Sequence, residues 1–210
     1  MYRTIFKPIL DFLAALILLV FFSPIILISF LIIKFEDPDG PVLFKQKRLG
    51  KDSKEFRVFK LRSMKVSTHD KDGNELSDHE RMLRSGALFR KLSIDELPQL
   101  LNILKGEMSF IGPRPLPIIY EPYYNDEERR RHNIKPGISG WAQVNGRNSI
   151  TWEDKFKFDV EYVEKLGLLF DIKIALLTIY KVFAKSDVVV RGDSTNVDFH
   201  TYRKQQQNDR

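Results

Sequence analysis

Two carboxylates stand side by side at Asp95 and Glu96, within Ser93-Ile94-Asp95-Glu96-Leu97-Pro98. Adjacent side chains on a helix point about 100° apart, so these two cannot share one proton face to face. Separate duties suit them better, with one carboxylate attacking as a nucleophile and the other holding a metal ion. A helix N-terminus would help, because it keeps a carboxylate ionised and attracts phosphate. The same segment also reads as plain capping, with Ser93 as the cap and Glu96 closing the box. Pro98 leaves two registers open. With Ser93 as the cap, Pro98 falls one position beyond the donors that a helix start leaves free. With a start at Asp95, Pro98 fits the first turn and Ser93 does not cap.

Cations suited to phosphate are Lys60, Arg62, Arg90, Arg114 and Arg147. Arginine forks match phosphate oxygens two at a time. Phe56, Val58, Lys60 and Arg62 share one side of a strand by its two-residue period, which places two cations at the end of an apolar face. Ordinary solvation of a strand end is the plainer explanation of that pair. In Gly112-Pro113-Arg114-Pro115 the two prolines exclude helix and fix the backbone around one outward guanidinium.

Several other chemistries lack their signatures. The chain has no cysteine, which excludes disulfides, thiolate metal sites and a cysteine nucleophile. It has no GxxxxGK[ST] or GxGxxG loop, and His69, His79, His132 and His200 show no zinc spacing. Ser139 and Ser149 show no hydrolase elbow. The net charge of +6 over 210 residues suits anionic partners without choosing among phosphate, lipid and nucleic acid.

The elements that must position these groups begin with Phe12 to Ile33, 22 residues without a charge. As one helix this segment is about 33 Å long, enough to cross a hydrocarbon core. Ser23-Pro24 falls in its middle: Pro24 cannot donate to the carbonyl of Val20, although the Ser23 hydroxyl can satisfy part of what is freed. Basic residues flank both sides, with Arg3 and Lys7 before and Lys34, Lys45, Lys47, Arg48 and Lys51 after. That pattern fits a helix broken at Ser23-Pro24 that turns back to the same face, and equally a kinked ordinary span.

Beyond the breaker Asp37-Pro38-Asp39-Gly40-Pro41, Val42–Arg48 and Phe56–Arg62 read as strands joined at Gly50-Lys51-Asp52-Ser53. Val66–Asp78, with Asp72-Gly73-Asn74, reads as a mobile loop. Ser77 and Glu80 form a capping box for a helix toward Arg84, which Gly86 interrupts before Ala87–Leu92. Leu97, Leu100, Leu101 and Leu104 make a core stripe ending at Gly106. Asn125 and Glu128 start another helix through Arg131, and Lys135–Gly140 is a stiff turn. Thr151–Leu166 is a helix with Phe156, Val160 and Val163 inward. Phe170–Lys185 is an apolar helix read as core, with a lysine edge at a lipid interface as the alternative. Asp187–Arg191 reads as a last strand. The expected organisation is residues 1–36 as the membrane helix, 37–191 as the catalytic domain and 192–210 as a polar, disordered tail.

The chain resembles the bacterial sugar transferases, the monotopic phosphoglycosyl transferase family. The blocks that carry the resemblance are Ser23-Pro24, Phe44-Lys45-Gln46 with Arg48, Phe59–Met64, Arg90–Gln99 and Leu101-Asn102 with Lys105-Gly106. Met108–Pro115 and Lys135–Arg147 continue it in order. The expected form is the small single-domain one. Family members commonly carry threonine where this chain has Ser63.

The resemblance implies a mixed α/β fold with a re-entrant helix on the cytoplasmic face of the bacterial inner membrane. It implies transfer of a sugar-1-phosphate from a UDP-sugar to polyprenyl (undecaprenyl) phosphate with release of UMP, which begins the assembly of a membrane glycoconjugate. An N-acetylated amino sugar is the expected cargo. By this resemblance Asp95 is the nucleophile of a two-step, Mg²⁺-dependent reaction, and Glu96 helps bind the metal. Lys60, Arg90 and Arg114 serve the phosphate site, and Arg147 lies near the nucleotide. Glu96 has no cation at helical spacing and the donor carries a diphosphate, which also motivates Mg²⁺. Expected partners are the donor, the lipid acceptor, membrane lipid and downstream glycosyl transferases, and not nucleic acid. A glycosyl transferase that releases UDP and a membrane-tethered basic binding module are the rival functions.

Overall fold

The computed structural model describes residues 1–70, 72–146, 150–184 and 198–208. Arg147 and the expected strand at Asp187–Arg191 lie outside the described residues. By internal contacts the chain divides into two units. One holds Met1–Asp11, Lys47–Phe56 and Lys105–Arg210, and the other holds Phe12–Gln46 and Arg57–Leu104. Helices dominate this mixed α/β fold, with two small two-stranded sheets.

A π-helical turn at Tyr2–Phe6 leads into α1, Lys7–Glu36. Among the described residues this is the one helix long and apolar enough to cross a membrane. Ile17, Val20, Phe21, Leu27 and Ile28 are all exposed along it, an arrangement that water disfavours and lipid satisfies. The expected break at Ser23-Pro24 does not end the helix: Pro24 lies inside α1, and Ser23 Oγ donates to Val20 O at 2.8 Å. That carbonyl is the one Pro24 leaves without its helical donor.

In the unit around residues 57–104, strand β2 (Glu55–Leu61) pairs with β1 (Leu43–Leu49). Ile33, near the end of α1, is fully buried with Val42, Leu61, Leu83 and Phe89. The loop expected at Val66–Asp78 is partly ordered. Asp70 accepts from the backbone of Asp72 and Asn74 at 2.8 Å each, and a bridge joins His69 to Glu75.

Ser77 and Glu80 form the expected capping box, but α2 covers only Asp78–Arg81, because Met82 turns extended to bridge Met64. Helix α3 is Arg84–Leu92, and Gly86 sits within it instead of interrupting it. A Cβ on Gly86 would come within 2.1 Å of Ser63 O, so hydrogen is the only side chain this helix contact admits. Helix α4 is Gln99–Leu104, and Gly106 beyond it takes φ +74°, as its capping role requires.

In the other unit, β3 (Ser109–Ile111) runs parallel to β4 (Gly137–Ser139), with Ser109 opposite Gly137 and Ile111 opposite Ser139. The expected stiff turn at Lys135–Gly140 is thus partly strand. Cβ atoms on Gly137 and Gly140 would come within 2.1 and 2.2 Å of the Gly112 backbone. The glycines of both motifs therefore serve a backbone-to-backbone contact. Helix α5 is Asp126–Arg129, with the Asn125–Glu128 capping box as expected. Helix α6 is Trp141–Val144, and α7, Trp152–Lys165, buries Phe156, Val160 and Val163 as its spacing predicts.

Helix α8, Leu168–Phe183, buries Ile174 in a core with Ile111, Val144 and Tyr162. Its other side leaves Leu169, Ile172, Leu176, Ile179 and Tyr180 exposed, so core packing explains only part of its apolar surface. The expected disordered tail is corrected as well. Helix α9, Phe199–Asn208, docks through Phe199, which is fully buried against Tyr120, Tyr124 and Phe156. Arg203 pairs with Glu128, and Tyr202 Oη donates to Glu153 at 2.8 Å. One aromatic anchor on an otherwise polar helix is too weak a pattern to read from sequence.

The start of α1 is tied down in this same unit. Asp171 on α8 accepts from Lys7 Nζ at 2.7 Å, Tyr2 Oη at 2.7 Å and Tyr162 Oη at 2.6 Å. Burial of a carboxylate is costly unless it is paired and hydrogen-bonded, and here it is both.

Candidate active site

Asp95 and Glu96 sit on a single 3-10 turn, Ile94–Glu96, between α3 and α4. Ser93 resolves the two open registers. It takes the left-handed conformation (φ 57°, ψ 21°), closes α3 with its N–H on Arg90 O, and makes no side-chain cap. Pro98 precedes α4, where its missing N–H costs nothing, and its carbonyl accepts from Leu101 N at 3.0 Å. The expected help from a helix N-terminus shrinks accordingly, since three residues of 3-10 helix align few peptide dipoles. Asp95 is 8% exposed and Glu96 is half-buried, so the two neighbours differ in their access to solvent.

Lys60 Nζ donates to Glu96 Oε1 at 2.6 Å. Glu96 therefore has a cationic partner after all, supplied from β2 across 36 residues of sequence, where helical spacing could not reveal it. Arg90, on the last turn of α3, donates through Nε to Ser63 Oγ at 2.8 Å. A threonine in place of Ser63 would offer the same hydroxyl, so the departure from the family pattern leaves this contact intact. Lys60, Arg90, Asp95 and Glu96 all belong to one unit of the fold.

Arg62 does not join them as a phosphate group. It is 5% exposed, its Nη1 pairs with the Asp37 carboxylate and its Nη2 donates to Asp37 O at 2.6 Å. This guanidinium is engaged by Asp37 and largely buried, away from solvent. Beside it Glu36, the last residue of α1, accepts from the backbone N–H groups of Arg84 at 2.6 Å and Ser85 at 3.1 Å. The end of the apolar helix thus provides the N-terminal cap that Leu83 cannot give α3.

Arg114 belongs to the other unit, on the turn after β3, with its side chain exposed. Its carbonyl accepts from Arg131 Nη2 at 2.7 Å, and buried Arg131 also pairs with buried Asp159 at 2.8 Å. This ion pair holds the Pro-Arg-Pro turn from beneath. Arg147 lies outside the described residues.

Sequence reasoning missed Glu36, Asp37 and Asn102. Glu36 and Asp37 act on residues that follow them by 25 to 49 positions, and no periodic pattern connects such pairs. Asn102 did leave a signal, being an amide on an otherwise leucine-rich stripe, and buried amides are there to be hydrogen-bonded.

Among the described residues no three histidine, aspartate or glutamate side chains gather to hold a metal by themselves. Two adjacent carboxylates fit Mg²⁺ of another kind, held by one or two carboxylates and completed by substrate phosphate oxygens and water. Glu96, half-buried on the turn, is a carboxylate of the kind that set needs.

The chain belongs to the bacterial sugar transferase family, whose model matches residues 2–185. It is 47% identical over 184 residues to the uncharacterized sugar transferase EpsL of Bacillus subtilis (strain 168), covering 88% of this chain and 90% of that one. It is 40% identical to the UDP-glucose:undecaprenyl-phosphate glucose-1-phosphate transferase of Escherichia coli (strain K12), over 82% of this chain and 39% of the relative. A UDP-N-acetylgalactosamine-undecaprenyl-phosphate N-acetylgalactosaminephosphotransferase of Aeromonas hydrophila is 41% identical, over 81% of this chain and 42% of its own. The chain thus spans less than half of the latter two. Helix α9 lies beyond the part matched by the family model.

Proposed function

We propose that this protein transfers a sugar-1-phosphate from a UDP-sugar to undecaprenyl phosphate and releases UMP, through a covalent intermediate on Asp95. The observation that carries this reading is the turn where screened Asp95 adjoins Glu96, itself paired with Lys60 at 2.6 Å. The named activities of the Escherichia coli and Aeromonas relatives support the substrate class. Those two names differ in the sugar, glucose in one and N-acetylgalactosamine in the other, so the sugar is left unassigned.

In the first step an Asp95 oxygen attacks the sugar-bearing phosphorus, the bond to the bridging oxygen breaks, and UMP departs with that oxygen. In the second, an oxygen of the lipid phosphate attacks the same phosphorus, and the Asp95 carboxylate is released. Splitting the transfer lets one anion leave before the next arrives. Lys60 and Arg90 are proposed to neutralise phosphate charge that would otherwise repel an attacking carboxylate. Mg²⁺, where bound by Glu96, would neutralise donor phosphate charge as a Lewis acid.

The lipid acceptor requires a membrane site. The exposed apolar surface of α1 supports membrane attachment, and the exposed side of α8 suits the headgroup boundary. On this reading α1 re-enters the cytoplasmic face and the product feeds downstream glycosyl transferases.

Intact-protein mass spectrometry after adding donor without acceptor tests the proposal. A gain of one phosphosugar mapped to Asp95 supports it. No adduct, together with kinetics that need both substrates bound at once, would replace it with direct transfer.

A further inference from the structure

The side chain of Asn102 on α4 is fully buried and reaches the backbone of β2 twice. Its Oδ1 accepts from Phe59 N at 3.0 Å, and its Nδ2 donates to Arg57 O at 2.7 Å. Among the described residues β2 has one edge without a neighbouring strand, and the amide gives that edge the donor and acceptor a third strand would offer.

The position of this contact matters. Lys60 follows Phe59 on β2, and α4 follows the Asp95-Glu96 turn after only Leu97 and Pro98. The two parts that meet in the Lys60–Glu96 pair are therefore fastened together one residue away on the strand and six residues away on the helix side. Hydrogen bonds to rigid backbone define a separation more sharply than the flexible lysine stem can, since that stem has four rotatable carbons to spare. The Asn102 end of both bonds is fully buried.

We infer that Asn102 is a positioning residue of the transfer reaction, clamping β2 to the carboxylate turn so that Lys60 and Glu96 meet in register. This rests on the proposed roles of Asp95 and Glu96. Ångström-scale misplacement of reacting groups costs about 10²-fold in rate, and a loss of transition-state positioning appears in kcat more than in KM.

The experiment compares Asn102→Leu, Asn102→Asp and Glu96→Gln in the full chain, reconstituted with UDP-glucose, UDP-N-acetylgalactosamine or another active UDP-sugar and undecaprenyl phosphate. The leucine variant removes both hydrogen bonds at similar volume, and the aspartate variant keeps only the acceptor. The expected result is a fall in kcat of at least about tenfold in folded Asn102→Leu with donor KM within about threefold, and an intermediate kcat for Asn102→Asp. A folded Asn102→Leu with kcat within about twofold of the parent, or a loss confined to KM, overturns the inference. Full activity in Glu96→Gln would instead sink the site on which the inference depends.

If neither Asn102 variant folds, hydrogen exchange of the parent decides. The Phe59 amide must be protected to the same degree as the strand-paired amides of β2. Exchange at the rate of an open sheet edge overturns the clamp.

Discussion

Ser23 Oγ lies 2.8 Å from Val20 O and supplies the hydrogen bond that Pro24 cannot make. The helix therefore carries a proline near its middle without orphaning the Val20 carbonyl, a group that would be expensive to leave unpaired in lipid. A re-entrant arrangement predicts that both chain ends lie on the inner side. Because the chain has no cysteine, single cysteines at Tyr2 and Gln206 report on this without background. Both should be labelled only after the membrane is permeabilised. Labelling of one end from outside establishes a span. Pro24→Ala, which restores the regular bond, should shift the population toward spanning.

The proposed Mg²⁺ would share its carboxylate with Lys60, whose Nζ lies 2.6 Å from Glu96 Oε1. Turnover is expected to stop in excess chelator and return with Mg²⁺; full turnover without divalent ions would remove the metal from the mechanism. Glu96→Gln should lower kcat by about 10²-fold or more and leave membrane association unchanged.

Gly86→Ala reverses a general rule. Alanine in a helix is favoured over glycine by about 1 kcal/mol, yet here its methyl would meet the Ser63 carbonyl at 2.1 Å. The expected loss is about 1–3 kcal/mol, or roughly 2–4 °C of melting temperature per kcal/mol for a chain of this size. Activity should fall too, because α3 carries Arg90, held by the Ser63 hydroxyl. A thermal melt unchanged within a degree or so would show that α3 can move aside.

His132 is buried with both ring nitrogens lacking hydrogen bonds, against the Tyr124 ring. Burial, followed by the charges of Arg131 and Arg129, lowers its pKa from 6.5 to about 3. Between those values the unfolded chain binds a proton that the folded chain refuses, so stability is full above about pH 6.5 and falls as pH drops toward 3. The slope from this one group is at most about 1.4 kcal/mol per pH unit. His132→Leu should flatten the dependence of the melting temperature on pH between about 6.5 and 4 by the equivalent of one proton. An unchanged profile would assign it to other groups.

What the sequence made legible was local or periodic. The capping boxes at Ser77 and Asn125, the inward face of α7 and the apolar run of α1 each declare themselves within a few turns. What it hid depends on long-range meetings. Gly86 reads as a breaker until Ser63 is found beneath it, and Lys135–Gly140 reads as a turn until β3 lies alongside. Arg62 reads as a ligand group because its partner Asp37 lies in a breaker segment 25 residues earlier. In the candidate site the carboxylates could be picked out by type and their pairings could not, since residue type is local and partnership is not.

The cap that Glu36 places on α3 bears on how such enzymes can be re-engineered. A water-soluble version trimmed at the end of α1 would lose the cap of α3 and the Ile33 side chain from the core. Trimming past Asp37 would also leave the buried Arg62 guanidinium without its carboxylate partner. The anchor is consequently not an interchangeable module. A membrane helix grafted from another protein would have to be spliced in ahead of Ile33, leaving the last turn of α1 and Asp37 as native sequence.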